Sequence, residues 1–173
     1  YILDYNNTLT QTTDDRLLNL TTSDRLFSNE IRSIAKDQDG IIWIGTTGGL
    51  NSSDGVVLNN NINIFRHIGD TEGNAGPLGD RINHIFVDKF NNKWISTSSG
   101  LSILRTDRSP WDSTGWLGFT RDNSGLVDNQ VHGVFVDHTT LQAYIATEKG
   151  ISVYEGSFAE IKDPTITPTT SIH

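Results

Sequence analysis

One stretch, D-Q-D-G-I-I-W-I-G-T-T-G-G-L at residues 37–50, constrains this chain more than any other, because it returns twice. It comes back as D-K-F-N-N-K-W-I-S-T-S-S-G-L at 88–101 and as D-H-T-T-L-Q-A-Y-I-A-T-E-K-G-I at 137–151. Trp43 and Trp94 are 51 positions apart, and Trp94 and Tyr144 are 50 apart. The leading Asp37, Asp88 and Asp137 are spaced 51 and 49, so the third copy carries one extra residue in its turn. Self-similarity at such a period means stacked units, each too small to bury its own apolar faces.

The units read as strands. Residues 31–36 alternate apolar and polar at period two, which is strand-like. Asp39-Gly40 is a hairpin turn, since glycine accepts positive φ at little cost. Residues 41–46 form a β-branched and aromatic run suited to a strand buried on both faces. After the turn at 47–49, Leu50 starts a third strand and residues 62–67 make a fourth. The second copy predicts strands at 82–87, 93–97, 101–105 and 116–120, with a longer excursion at 106–115 that holds Pro110 and Trp111. The third predicts 131–136, 143–147, 151–154 and a weak fourth strand around 158–161. Four short antiparallel strands per unit of about 50 residues is the signature of a β-propeller blade. A plain sandwich does not explain why the same residues return at fixed places.

The expected organisation follows. Residues 1–23 give the last two strands of a preceding blade (1–5 and 17–21); 24–70, 71–121 and 122–162 are blades; 163–173 is a Pro/Thr-rich linker. The expected fold is therefore all-β, with an incomplete ring of four-stranded blades. Trp43, Trp94 and Tyr144 would wedge against the neighbouring blade. Gly45, Ser96 and Ala146, two positions on, would leave room for close approach. Thr46, Thr97 and Thr147 would satisfy loop amides, and Gly49, Gly100 and Gly150 would turn the backbone into the third strand.

These residues carry a resemblance. The pattern I-x-x-I-x-x-D-x-x-G-x-I-W-I-G-T-x-x-G-L at 31–50 resembles the two-component regulator propeller repeat. The second copy keeps Ile82, Asp88, Trp94, Ile95, Thr97, Gly100 and Leu101 but has Asn91-Asn92 for the first turn glycine. The third keeps Val131, Asp137, Thr147 and Gly150, with Tyr144 for tryptophan. The resemblance covers residues from about 17 to 154. It implies a periplasmic sensor region like those of bacterial hybrid histidine kinases, or a related secreted or surface protein. The matched residues are the ones that build blades, so they specify fold more than ligand.

Composition removes several classes. Lys and Arg number 13 against 21 Asp and Glu, a net charge of −8, which argues against nucleic acid or an anionic membrane as partner. There is no cysteine, so no disulfide, thiolate nucleophile or cysteine-based zinc site. No apolar run approaches the roughly 20 residues of a membrane helix. The chain opens at Tyr1 and contains no methionine, and it reads as a piece of something longer.

No catalytic set, metal site or cofactor is expected. Asp37-Gln38-Asp39-Gly40 resembles the start of a calcium loop, yet Ile41, Ile42 and Trp43 follow where ligands would be needed; it reads as a turn. An Asp-box is out of register, because two residues separate Asp37 from Gly40. His67, His84, His132, His138 and His173 lack the convergence a metal requires and read as structural or surface residues. No G-x-S-x-G is present. Asn6, Asn19 and Asn51 fall in N-x-S/T sequons, attributable to chance in a chain this rich in Asn, Ser and Thr.

The candidate binding surface comes from propeller geometry. The loop entering each inner strand and the loop joining the second and third strands open on one face, around the central axis. Those loops supply Asn29, Glu30 and Arg32; Asp80, Arg81 and Asn83; Asn129, Gln130 and His132; and Thr47, Ser98, Ser99, Glu148 and Lys149. The ligand-binding candidates are Asn29, Arg32, Asp80, Arg81, Asn83, Asn129, Gln130, His132, Glu148 and Lys149. They differ between copies while the blade-building residues repeat, which is where a binding surface can be written. The competing reading makes Asn29, Asp80 and Asn129 turn caps. The expected function is non-catalytic binding of an extracytoplasmic ligand or protein, in a periplasmic or extracellular setting. The missing blades would come from the parent chain or other copies. The alternative is a secreted or surface module tethered to a C-terminal sorting or anchoring domain. A propeller lyase or glycosidase rests on fold analogy alone.

Overall fold

A computed structural model describes residues 2–4, 16–58, 61–67 and 75–155. Short strands β1 (Ile2–Asp4) and β2 (Arg16–Leu18) pair antiparallel. A 3-10 turn, Thr22–Asp24, follows, closed by reciprocal bonds between Thr21 and Asp24. Blade one is β3 (Ile31–Lys36), β4 (Ile42–Thr46), β5 (Gly49–Ser53) and, after a small hairpin of β6 (Val57–Leu58) and β7 (Asn61–Ile62), β8 (Phe65–His67). Blade two is β9 (Ile82–Val87), β10 (Lys93–Thr97), β11 (Gly100–Leu104) and β12 (Trp116–Phe119). Blade three has β13 (Val131–Asp137), β14 (Gln142–Thr147) and β15 (Gly150–Glu155). Each sheet is antiparallel with its strands side by side in chain order. The all-β blade reading holds, and three such sheets fall short of the four to eight blades of a closed propeller.

The repeated residues explain the repeated geometry. Asp37 Oδ1 accepts from the amides of Asp39 and Ile41, and Oδ2 accepts from the indole Nε1 of Trp43 at 2.9 Å. Asp88 does the same for Phe90, Asn92 and Trp94. One buried carboxylate therefore closes the hairpin turn and orients the wedge. The left-handed turn position is Gly40 (φ 87°) in blade one and Asn91 (φ 66°) in blade two. In blade three the extra residue puts Leu141 there at φ 57°, a conformation that crowds a Cβ. Thr46, Thr97 and Thr147 each donate to the carbonyl of the glycine three residues on and accept a loop amide.

Neighbouring blades interlock. Trp43 packs with Ile82, Ile85, Ile95 and Leu104 of blade two. Gly45 is needed there: a Cβ would lie 2.5 Å from Ile82 Cγ2. Trp94 packs with Val131, Val134, Val136, Ala143 and Ile145 of blade three. The turns also clasp: Gln38 donates from Nε2 to the carbonyls of Asp88 and Lys89 and from its backbone amide to Asn91 Oδ1. Lys93 Nζ sits 3.1 Å from Asp37, both buried. Taking both charges out of water costs several kcal/mol, offset here by the close pairing and the added hydrogen bonds.

Several expectations need correction. Tyr144 is not an interblade wedge among the described residues. It is 39% exposed, against 2% for Trp43 and 1% for Trp94. The face it lies on, with Phe135 and Ile151, has no described blade against it, and its hydroxyl donates to Gln142 instead. Ala146 is exposed for the same reason. The strand expected at 62–67 is broken: Asn63 and Ile64 are not in strand, and Ile64 turns inward to a small core with Leu26 and Ile44. The hairpin of β6 and β7 was not anticipated. The weak strand at 158–161 and the tail at 163–173 lie outside the described residues.

Candidate functional site

The loop preceding each inner strand lies beside the loop between the second and third strands. Thr47 N donates to Glu30 O, Ser98 N to Arg81 O and Glu148 N to Gln130 O, at 3.0–3.2 Å. Two loops with unrelated side chains are thus held together by one backbone bond per blade.

A second device is common to all three blades. The pairing of the inner strand with its neighbour slips by one residue, between Ile31 and Ser33, Ile82 and His84, and Val131 and Gly133. The unpaired residues are Arg32, Asn83 and His132, all on the candidate list. A bulge re-aims its side chain and strengthens the local twist, and bulges gather beside functional surfaces. Periodicity gave no warning of this, because a bulge is visible only as a one-residue phase slip.

The candidate residues differ in what they do. Arg32 is paired with Glu30 at 3.3 Å on the surface. Asn83 donates from Nδ2 to Val131 O at 2.7 Å and so ties blade two to blade three. His132 Nε2 meets Glu148 at 2.7 Å, both exposed. Lys149 meets Asp128 at 2.7 Å, and that lysine holds the Asp128 carboxyl below the usual range. Gln130, His132, Glu148 and Lys149 therefore share one patch of blade three. Asp80 and Arg81 are exposed at the corresponding corner of blade two. Asn29 and Asn129 accept the amides of Thr22 and Arg121 through their side-chain oxygens, so both hold turns. The residues in the same relation to Asp80, 72–73, lie outside the described set.

The structure also adds residues that motif reading missed. Asn51, Ser102 and Ser152, the third residues of β5, β11 and β15, accept the backbone amides of Phe27, Leu78 and Val127. They anchor the entering loops to the sheet. A polar residue recurring two positions after the glycine that opens each third strand was the available signal. Asn51 is fully buried in this role.

Histidine 67 is the other surprise. It is 2% exposed, bonded through Nε2 to Ser52 Oγ at 2.7 Å, and stacked between Trp43 and Trp111 at centroid distances of 5.1 and 4.7 Å. Burial pulls its pKa from 6.5 down to about 4. The pair is enclosed, with no carboxylate on the imidazole among the described residues, and it serves packing. Burial pushes the Asp37 carboxyl up, but Trp43 and Lys93 together hold it below the usual range. Among the described residues no group of three or more His, Cys, Asp or Glu is placed to hold a metal ion. Nor is any helix there long and apolar enough to cross a membrane.

Comparison with known proteins agrees with this picture. The sequence profile of the family described as two component regulator propeller matches residues 25–48. Histidine kinase P4 of Formosa agariphila is 25% identical over 94% of the chain, which spans only 12% of that kinase. The extracellular domain of a hybrid two component system from B. thetaiotaomicron superposes with a TM-score of 0.65 and 26% identity, over 82% of this chain and 18% of that one. PorZ, a bacterial surface component of the type-IX secretion system of Porphyromonas gingivalis, gives 0.63 and 25%, over 86% of this chain and 21% of that one. The chain is a run of β-propeller blades that carries the two-component regulator propeller repeat and resembles the extracellular domains of two-component sensors.

Proposed function

We propose that the chain is part of an extracytoplasmic sensor propeller, a non-catalytic module that binds a ligand or protein through its axial loops. The observation that carries this reading is the bulge. It occurs at one position in three blades and presents three chemically different side chains, Arg32, Asn83 and His132, from one scaffold. Conserved blade chemistry beside divergent loop chemistry is what a binding surface needs and what a repeat does not otherwise require. Asp80, Arg81, Gln130, Glu148 and Lys149 complete the surface, and Asn29 and Asn129 shape it.

A thermal-shift screen of small anions and peptides, followed by calorimetry, tests it. Replacing Arg81 and Lys149 by Ala should leave Tm within about 2 °C, since exposed pairs contribute little. The same change should weaken an anionic hit about tenfold or more. Hits indifferent to both substitutions would refute the axial placement.

The open Tyr144 face calls for further blades, from the parent polypeptide or from other copies. Light scattering on the isolated chain checks this, and a well-behaved monomer would count heavily against it. Similarity to PorZ favours one second reading, a surface module of a larger assembly. The sequence downstream in the parent gene separates the two: a membrane helix and kinase for the sensor, a sorting or anchoring domain for the surface module.

A further inference from the structure

The two blade junctions are built differently at one place. At the first, Gly45 of β4 faces Ile82, whose Cγ2 lies within 2.5 Å of where a Cβ would sit, so the sheets touch there. Ser33 Oγ, on the neighbouring inner strand, accepts the amide of Ile85 across the junction. No polar side-chain atom of Ser33 is left over. The same positions at the second junction are Ser96, Val131 and His84. Ser96 has the Cβ that Gly45 lacks, and it carries a hydroxyl. The residue opposite is the smaller valine.

Ser96 is fully buried, and its Oγ has no hydrogen-bond partner among the described residues; neither has the buried Nδ1 of His84. The two residues are direct cross-strand partners in the β9–β10 pairing, so their side chains leave the sheet on the same side. Opposed Cβ atoms in such a pair lie about 4.5–5.5 Å apart. As placed, these two polar atoms do not bond each other, and one small molecule between them would serve both. Gly133 of blade three forms the opposite wall, its Cβ position 3.9 Å from His84 Nδ1.

We propose that a single water molecule is bound between blades two and three, bridging Ser96 Oγ and His84 Nδ1. A buried hydroxyl and a buried ring nitrogen left unpaired are each costly, and a water with two to four polar partners satisfies both. Water both donates and accepts, so it suits either imidazole tautomer. The second junction differs from the first in this water, because Ser96 stands where the first has Gly45 and His84 where it has Ser33, and these two supply its partners.

High-resolution crystallography together with a double-substitution cycle tests this on the whole chain. The expected structure shows one ordered water within hydrogen-bond distance of both atoms. Ser96→Ala should lower Tm by about 2–4 °C, because it strands the water on one partner. His84→Phe should lower it similarly. The double variant should be little worse than either alone, because the first change already disrupts the site. Val131→Ile, which fills the space, should displace the water and lower Tm in the wild type but not in Ser96→Ala. A Tm that stays or rises in Ser96→Ala overturns the proposal, since deleting an unpaired hydroxyl would then be neutral or favourable. Strictly additive effects, or a direct Oγ–Nδ1 bond without water, overturn it equally.

Discussion

Trp94 and Tyr144 stand at one place in successive copies and meet opposite surroundings. Trp94 is 1% exposed, closed in by Val131, Val134 and Ile145 of the next blade; Tyr144 is 39% exposed on a bare face. The hairpin beneath each is still built, and in both the leading aspartate accepts turn amides. The motif thus has two separable parts. The aspartate and its turn are local and form in every blade. The aromatic wedge contributes only where a neighbouring sheet covers it.

That contrast sets a series of measurements by chemical denaturation. Trp43→Ala should cost about 3–5 kcal/mol, the usual penalty for emptying a buried aromatic site. A loss below about 1 kcal/mol would remove the wedge from the argument. Asp37→Asn should cost about 3 kcal/mol, because it strands Lys93 in the junction and removes an acceptor from Trp43. If Asp37→Asn and Trp43→Ala proved fully additive, the carboxylate would not be orienting the ring. The pH series comes next. His67 titrates at about 4 when folded and near 6.5 otherwise. Between those values the unfolded chain takes up a proton that the folded chain refuses. Stability is therefore intact above pH 6.5 and falls by about 3 kcal/mol as pH drops to 4. In His67→Phe that slope should flatten, and an unchanged slope would assign it elsewhere. The Asp37 carboxyl, held below its ordinary value, adds its own loss only at still lower pH.

Smaller effects sharpen the comparison at blade three. Leu141→Gly should stabilise by about 1 kcal/mol, since glycine adopts that φ freely. Tyr144→Ala should cost less than about 1 kcal/mol in the isolated chain. A cost matching that of Trp43→Ala would mean the face is covered in solution.

Much of the fold was legible because its signals are local. The boundaries of β3, β9 and β10 follow from alternation and from the D-G, N-N and S-S-G turns, which act over a few residues. The threonine and glycine roles at the second turn followed for the same reason. The fate of Tyr144 was not legible, because burial depends on what stands opposite. Nor was the break at Asn63, where Ile64 leaves the strand to join Leu26. The candidate surface was legible as a set of loops, from repeat topology. That Asn29 and Asn129 would hold turns was one of two readings the sequence allowed; the pairing of His132 with Glu148 and of Lys149 with Asp128 was not legible. Asparagine in a turn and asparagine at a binding surface look alike until the acceptor is known.

The grip of Asn51, Ser102 and Ser152 on the entering loops has a consequence for how such a surface can change. Each anchor holds an amide, and every residue but proline offers the same amide. The bond itself therefore does not depend on the side chain, while the Phe27 ring over Gly49 and Leu78 over Gly100 and Gly118 still fix what packs there. Away from these packed positions, loop sequences can drift without renegotiating their attachment, so the recognition chemistry is free to diversify while the frame stands still.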